Sequence, residues 1–377
     1  MNRHRACGLS RRSLMAGGSA AAALAFMPDA GFAQDDLPLK ARAARKGLVF
    51  GAAVQKGQLS KNRRFADAVL RECAILTPEW EMKWGAIERD RGTRDYAGAD
   101  FIVDYALRHG LHARGHTAVW ANNLPAWAQD ALKDADAQQI LDAHTVTVID
   151  HFRGRVAQWD VVNEAVEPKE GRMDGLRNSI LMRQLGRDFI AHAFHLAKET
   201  DPAAVRYYND TGFWADTAED ELRRRAVLRL LEQLKRDGAP VQGLGMQAHL
   251  EADEVPFDQK TFRRFLADVA SLGLEIMVTE LDVNDRYVSG AEPLEVRDGK
   301  VADMTRRYLD ALLDEPAVAG VVTWGLSDRY TWLNGDNRWA RKDRRRNRCL
   351  PLDDAFRRKP MWYAMAAAFD GARDRQG

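Results

Sequence analysis

Beyond residue 47, short apolar runs take turns with longer stretches in which apolar residues recur every three or four positions. The runs are rich in Val, Ile and Leu. They predict strands at 48–54, 74–77, 112–120, 156–163, 205–210, 243–250, 275–283 and 318–326. The longer stretches predict helices at 62–72, 98–108, 137–152, 179–200, 217–237, 258–272, 302–313 and 360–369. Within 98–108, Phe101, Ile102, Tyr105 and Ala106 share a face, as do Ile140, Leu141, His144 and Val148 within 137–152. Pro202, Gly238, Gly273 and Pro316 supply stops. Strand-then-helix repetition implies parallel strands joined by crossover helices. Eight such units in 377 residues fit an α/β fold, a closed (β/α)8 TIM barrel in a single domain. A doubly wound open sheet would need a glycine-rich phosphate turn after an early strand. Neither GxGxxG nor GxxxxGK followed by Ser or Thr occurs. No linker, low-complexity stretch or short repeat marks a further module.

Residues 1–33 break the pattern. Ser10-Arg11-Arg12-Ser13-Leu14-Met15 is a twin-arginine string, and a short apolar run from Ala16 to Met27 follows it. Gly31-Phe32-Ala33 then places small residues where a signal peptidase reads them. The run is too short to span a bilayer. The order of these regions predicts an export signal at 1–33, cleaved after Ala33, ahead of one domain at 34–377. A disordered basic tail is the alternative. The signal implies a periplasmic or extracellular protein, with the twin-arginine translocase as partner during export and no membrane segment in the mature form.

The chain is 46% hydrophobic and 29% charged, ordinary for a soluble globular protein. Its net charge of +1 becomes −2 without the four Arg and one Asp of residues 1–33. Neither value points to nucleic acid or an anionic membrane as partner. A monomer is expected. Cys7 leaves with the signal, and export permits a disulfide between Cys73 and Cys349; two separate buried thiols are the other reading. No CxxC or His/Cys cluster suggests a metal, and no cofactor is expected.

Two apolar runs end in carboxylates: Trp159-Asp160-Val161-Val162-Asn163-Glu164 and Val278-Thr279-Glu280-Leu281-Asp282-Val283. A carboxylate at the end of a buried strand is costly unless paired or used. Two of them, each leaving a strand of the same type, suit an acid and a nucleophile that face one glycosidic bond. Catalytic groups of such barrels sit at the C-terminal strand ends. Glu79 and Lys83, His116 and Trp120, Asn209 and Asp210, Gln247 and His249, and Trp324 fall at that same level.

The segments Thr77-Pro78-Glu79, Glu81-Met82-Lys83-Trp84, Gly115-His116-Thr117, Leu124-Pro125-Ala126-Trp127, Trp159 to Glu164, Gly245-Met246-Gln247-Ala248-His249, Thr279-Glu280-Leu281-Asp282 and Trp324-Gly325-Leu326-Ser327-Asp328 resemble, in order, those of glycoside hydrolase family 10, the endo-β-1,4-xylanases. The resemblance covers essentially all of 34–377. It implies a retaining enzyme that hydrolyses internal bonds of xylan by double displacement, with Glu164 as acid/base and Glu280 as nucleophile, their carboxyls about 5–5.5 Å apart. An apolar wall and the negative Glu280 would keep Glu164 protonated. His249, oriented by Asp282, would donate to Glu280. Asn163 would bind the 2-hydroxyl of the sugar under attack. Glu79, Lys83, His116, Asn123 and Gln247 would bind other hydroxyls, and Trp120, Trp324 and Trp332 would form aromatic walls.

Four features depart from the family. Trp80 stands where Asn is usual, Trp120-Ala121-Asn122-Asn123 replaces Trp-His-Ser-Gln, and Thr211 replaces Tyr. The fourth is the basic run Arg341-Lys342-Asp343-Arg344-Arg345-Arg346-Asn347-Arg348, either a solvated loop or a site for glucuronate branches. Other readings keep the fold and mechanism but act on β-1,4-glucan or short xylo-oligosaccharides. A catalytically inactive barrel that only binds polysaccharide and a metal-dependent barrel hydrolase complete the alternatives.

Overall fold

Val, Ile and Leu runs that can be buried on both faces become strands of one parallel sheet. The protein is seen in a computed structural model, which describes residues 36–375 except 135 and 254. Its barrel strands are β1 (Val49–Val54), β2 (Ile75–Pro78), β3 (His112–Val119), β4 (Gln158–Asn163), β5 (Val205–Thr211), β6 (Gly243–Gln247), β7 (Glu275–Asn284) and β8 (Val318–Thr323). Each pairs in parallel with the next, and β8 pairs with β1 to close the barrel. The short segment His249–Glu251 extends β6 beyond Ala248 and pairs with the outer end of β7. Ile75, Tyr207, Met277 and Val322 form a separate buried cluster. They come from β2, β5, β7 and β8, so they meet only across the barrel's interior. The larger core lies between the strands and the outer helices. The predicted export signal falls outside the described residues.

Several helices begin where a side chain satisfies the free backbone donors of the first turn. Asn62 accepts from Phe65 N at 3.2 Å, Thr217 from Asp220 N at 3.1 Å and Asp258 from Thr261 N at 2.6 Å. The helix expected at 179–200 is two helices, Ile180–Leu185 and Phe189–Thr200. Gly186 between them has φ 69° and ψ −177°, a backbone conformation essentially open only to glycine, and the helix ends there. The helix expected from 302 starts at Leu294. Its first turns hold Gly299 and several charges, so apolar spacing does not mark them; Arg297 and Asp298 are nevertheless buried. Cys73 and Cys349 are both free and buried, which answers the disulfide question in favour of separate thiols.

The fold takes up Arg341, Arg346 and Arg348 of the basic run at 341–348, while Lys342, Arg344 and Arg345 stay exposed. Arg341 is buried against Asp285 and binds Asp343 at 2.6 Å and the Val288 carbonyl at 2.8 Å. Arg346 donates to the carbonyls of Asp328 and Arg329, both at 3.0 Å, and Arg348 grips Asp298 with two 2.6 Å bonds. Arg297 also binds Asp285, so one buried carboxylate serves two arginines. Arg341→Ala is therefore expected to lower stability by about 1–3 kcal/mol, because Asp285 keeps Arg297 while the buried carbonyls of Asp285 and Val288 lose their donor. Urea unfolding monitored by circular dichroism would check this, and a loss below 1 kcal/mol would show the network to be dispensable.

Candidate active site

Strand register sets the floor of the site. Asn163 is level with Asn209, and Asn209 with Gly245, across β4, β5 and β6. A Cβ at Gly245 would lie 2.3 Å from Asn209 Oδ1, so glycine there makes room for the amide. Asn209 Nδ2 donates to Asn163 Oδ1 at 2.8 Å and to Glu280 Oε1 at 3.0 Å. Gln247 Nε2 donates to Asn163 Oδ1 at 3.2 Å and to Glu164 Oε1 at 3.1 Å. Two amides on neighbouring strands thus tie both carboxylates to one frame centred on Asn163. Asn163 Nδ2 has no protein acceptor. Thr279 Oγ1 donates to Asn209 Oδ1 at 2.7 Å and fixes which way that amide faces.

Glu164 follows β4, and its second carboxylate oxygen accepts from Trp120 Nε1 at 3.0 Å and Asn122 Nδ2 at 3.1 Å. With Gln247, three N–H donors surround it where an apolar wall was expected. Arg177 lies 4.0 Å from the same carboxylate.

Glu280, in the outer half of β7, is buried among cationic and donor groups. His249 Nε2 lies 3.3 Å from Glu280 Oε2, and His249 Nδ1 lies 3.0 Å from Asp282 Oδ1. Burial opposes the charge on Glu280. The hydrogen bond from His249 and the charges of His116, His249 and Lys83 outweigh it and hold Glu280 below the usual carboxylate range. Burial also opposes charge on His249, but the Asp282 charge and hydrogen bond, followed by those of Glu280, lift it to about 10. His116 is oriented by Asp160 at 3.0 Å, and Asp160 is itself bound by Arg114.

Lys83 forms the other wall. Its Nζ lies 4.9 Å from the ring centroid of Trp120 and 5.6 Å from those of Trp324 and Trp80. Its burial lowers its pKa, against the charges of Glu280, Glu79 and Glu164. Glu79 is raised to about 7, by burial first, against hydrogen bonds from Gln55 and Gln58 and the charge of Lys83. Trp324 stands edge-on to His116 at 5.1 Å, and Trp332 edge-on to His249 at 5.2 Å. Trp332 Nε1 donates to Asp282 at 2.8 Å. Among the described residues, no group of three or more His, Cys, Asp or Glu is arranged to hold a metal ion.

The model of glycosyl hydrolase family 10 matches residues 38–368. The chain belongs to glycosyl hydrolase family 10. Endo-1,4-beta-xylanase B of Thermotoga neapolitana is 32% identical over 338 residues, 89% of this chain and 92% of that protein. A beta-1,4-xylanase of Dictyoglomus thermophilum is 35% identical over 266 residues, 68% of this chain and 72% of that one. The crystal structure of xylanase 10B from Thermotoga petrophila RKU-1 in complex with xylobiose superposes with a TM-score of 0.78 at 31% identity, covering 92% of this chain and 99% of that one.

Within this family 10 chain the structure redistributes some expected roles. Asn123, expected to bind sugar, turns its side-chain oxygen to Gly85 N at 3.2 Å and helps hold the Lys83 segment. Its neighbour Asn122 is the one that reaches Glu164. The two share the short 3-10 turn Ala121–Asn123, in which successive side chains diverge by about a third of a turn. Asn122, Asn209 and Arg177 take part in the site although sequence reasoning assigned them no role there. Asn209 had been noted only for its level on β5. Trp120 is at once part of the wall and a donor to Glu164. Of the predicted residues, Glu79, Lys83, His116, Trp120, Asn163, Glu164, Gln247, His249, Glu280, Asp282, Trp324 and Trp332 lie in this one linked cluster; Asn123 lies at its edge.

Trp80 is the one exposed tryptophan among the described residues, at 51%. Set against Lys83 at the rim, its indole extends the wall of Trp120 and Trp324. Trp80→Ala is expected to reduce kcat/KM on aryl xylo-oligosides by roughly 3- to 10-fold, the value of one aromatic contact, once the glycone is long enough to reach it. A series of aryl xyloside, xylobioside and xylotrioside would show the step. The same loss at every length would mean that no sugar rests on Trp80.

Proposed function

We propose that the chain hydrolyses internal β-1,4-xylosidic bonds of xylan with retention, through a glycosyl-enzyme formed on Glu280. The carrying observation is the amide frame that brings Glu164 and Glu280, from β4 and β7, to one site. In the first step a Glu280 oxygen bonds to the anomeric carbon while that carbon's bond to the glycosidic oxygen breaks. Glu164 gives its proton to the departing oxygen, so the leaving chain departs neutral. In the second step Glu164, now a carboxylate, takes a proton from water. The water oxygen bonds to the anomeric carbon, and the ester to Glu280 breaks. Asn163, whose amide nitrogen has no protein acceptor, supports a contact to the 2-hydroxyl that strengthens as charge develops at the anomeric centre. The positive groups around Glu280 keep it ionised and ready to attack.

That role makes a pH prediction. His249 supplies both a hydrogen bond and positive charge to Glu280, so His249→Ala should raise the pKa of Glu280. The acid limb of kcat/KM then moves to higher pH; an unmoved limb would show that His249 does not set it. The same pair contributes to folding stability. Glu280, held low, contributes above the ordinary carboxylate range, and this is lost as pH falls through its folded value. His249 contributes fully below 6.5, and this is lost as pH rises through about 10.

Product chain lengths from xylan, compared with release of reducing ends from carboxymethylcellulose, test the substrate. Preferential attack on the glucan would overturn the xylan reading. β-1,4-Glucan, short xylo-oligosaccharides and a non-catalytic binding role are less favoured, because xylanases recur among the relatives and the carboxylate pair is intact. Activity that survives a chelator would set aside the metal-dependent alternative.

The string Ser10 to Met15 and the run to Ala33 support export by the twin-arginine route to the periplasm or beyond. Arg11→Lys with Arg12→Lys should leave the protein in the cytoplasm; continued export would remove this part of the reading.

A further inference from the structure

Glu164 has a φ of 54°, the left-handed region that L-residues with a side chain seldom occupy. Such a conformation persists where its surroundings over-determine it, and it often does so for a functional reason. The next two residues, Ala165 and Val166, are buried in the loop after β4, where an isolated bridge between Val166 and Leu176 leaves their own N–H groups unused. Their N–H groups need acceptors there. β5 provides three in a row. The Asn209 carbonyl accepts from Glu164 N at 2.9 Å, Tyr208 Oη from Ala165 N at 3.1 Å, and Asp210 Oδ2 from Val166 N at 3.1 Å. Tyr208 Oη donates in turn to Asp210 Oδ2. From the loop side, Arg177 Nε donates to the Glu164 carbonyl at 2.8 Å, and Arg223 Nη1 to that of Val166 at 3.2 Å. Tyr208 and Asp210 are fully buried, so neither touches the sugar, and both hold the backbone that follows Glu164.

We propose that Tyr208 and Asp210 are positioning residues that clamp the left-handed turn at Glu164 and so hold its carboxyl where the glycosidic oxygen departs. This rests on Glu164 as the acid/base. Without the Tyr208 hydroxyl, Ala165 N–H loses its acceptor, and Asp210 loses one of its three donors and is left with the backbone N–H groups of Val166 and Thr211. The turn can then relax toward the ordinary extended region, which swings the carboxyl off line. Lys83, Trp324 and Asn163, which carry most of the proposed sugar binding, make no hydrogen bond to that turn; only Trp120, Asn122 and Gln247 reach the Glu164 carboxyl.

The test is Tyr208→Phe on two kinds of substrate. On xylo-oligosaccharides, whose leaving group needs a proton, kcat should fall about 10- to 100-fold with KM within about twofold, a part of what a general acid supplies. On 2,4-dinitrophenyl xylobioside the leaving group needs no proton. The first burst of dinitrophenolate should keep the wild-type rate, followed by slow turnover, because water activation in the second step needs the same carboxyl. Equal losses in the burst and on xylo-oligosaccharides would indicate a general lesion and overturn the proposal, as would unchanged turnover of xylo-oligosaccharides. Should the variant not fold, hydrogen exchange on the wild-type protein decides the matter. The clamp requires the Ala165 and Val166 amides to be protected like those of the barrel strands, and exchange at the rate of an open loop would overturn it. A wild-type protein that cleaves neither substrate would instead sink the xylanase reading.

Discussion

Glu280→Ala is expected to reduce xylan hydrolysis by roughly five to six orders of magnitude, the scale of losing a catalytic nucleophile outright. The side chain is buried among His249, His116, Lys83 and the Asn209 amide, the one carboxylate of the linked cluster on which all four converge. Loss of the carboxylate removes the group proposed to form the ester, and it also leaves those donors without the charge they were arranged around. With a dinitrophenyl substrate and added azide, the small anion can enter the vacated space and attack from the Glu280 side. The product is then the α-glycosyl azide, inverted relative to substrate. Chromatography and anomeric coupling constants identify it. Hydrolysis at the wild-type rate would remove the mechanism as well as the residue assignment.

Glu164→Ala is expected to lower kcat on xylan by about 10²- to 10⁴-fold, the range general acid and base catalysis supplies. The dinitrophenyl xylobioside separates its two duties. Formation of the glycosyl-enzyme needs no proton from the protein and should stay near the wild-type rate, so a burst appears. Its breakdown needs a base and becomes slow. Azide, which needs no base, should then restore turnover and give the β-glycosyl azide, because it attacks the intermediate from the side opposite Glu280. The two variants therefore yield azides of opposite configuration. The same configuration from both would mean that the two carboxylates do not have distinct roles.

The local strings around Glu164 and Glu280 marked the carboxylates because buried strand ends tolerate charge only when it is used or paired. Gln247 and His249 were visible in the same way, as polar residues interrupting apolar runs, whereas Asp282 drew a role only from the family resemblance. Asn122 was not. It sits in a short turn beside Asn123, and one-dimensional spacing cannot tell which of two adjacent amides faces the carboxylate. Arg177 was equally hidden, since it comes from the long loop after β4 and acts on the backbone of Glu164 across a turn. The basic run at 341–348 was read as a solvated loop or an anion site, and spacing could not show that Asp285, Asp298 and several carbonyls, distant in the chain, take up Arg341, Arg346 and Arg348 while Lys342, Arg344 and Arg345 stay exposed.

What the amino-acid order determined by itself was the barrel: eight apolar runs of strand length, each followed by a helical period, leave parallel closure as the economical way to bury every face. It also placed the polar residues at one end of those strands, because strand direction follows from chain order. What only the tertiary structure decided was register and turn geometry. The levelling of Asn163, Asn209 and Gly245, the amide bridge from Glu164 to Glu280, and the left-handed turn held by Tyr208 and Asp210 all depend on how neighbouring strands align. A shift of one residue in that alignment would turn each of these side chains to the other face, and nothing local to any one strand specifies it.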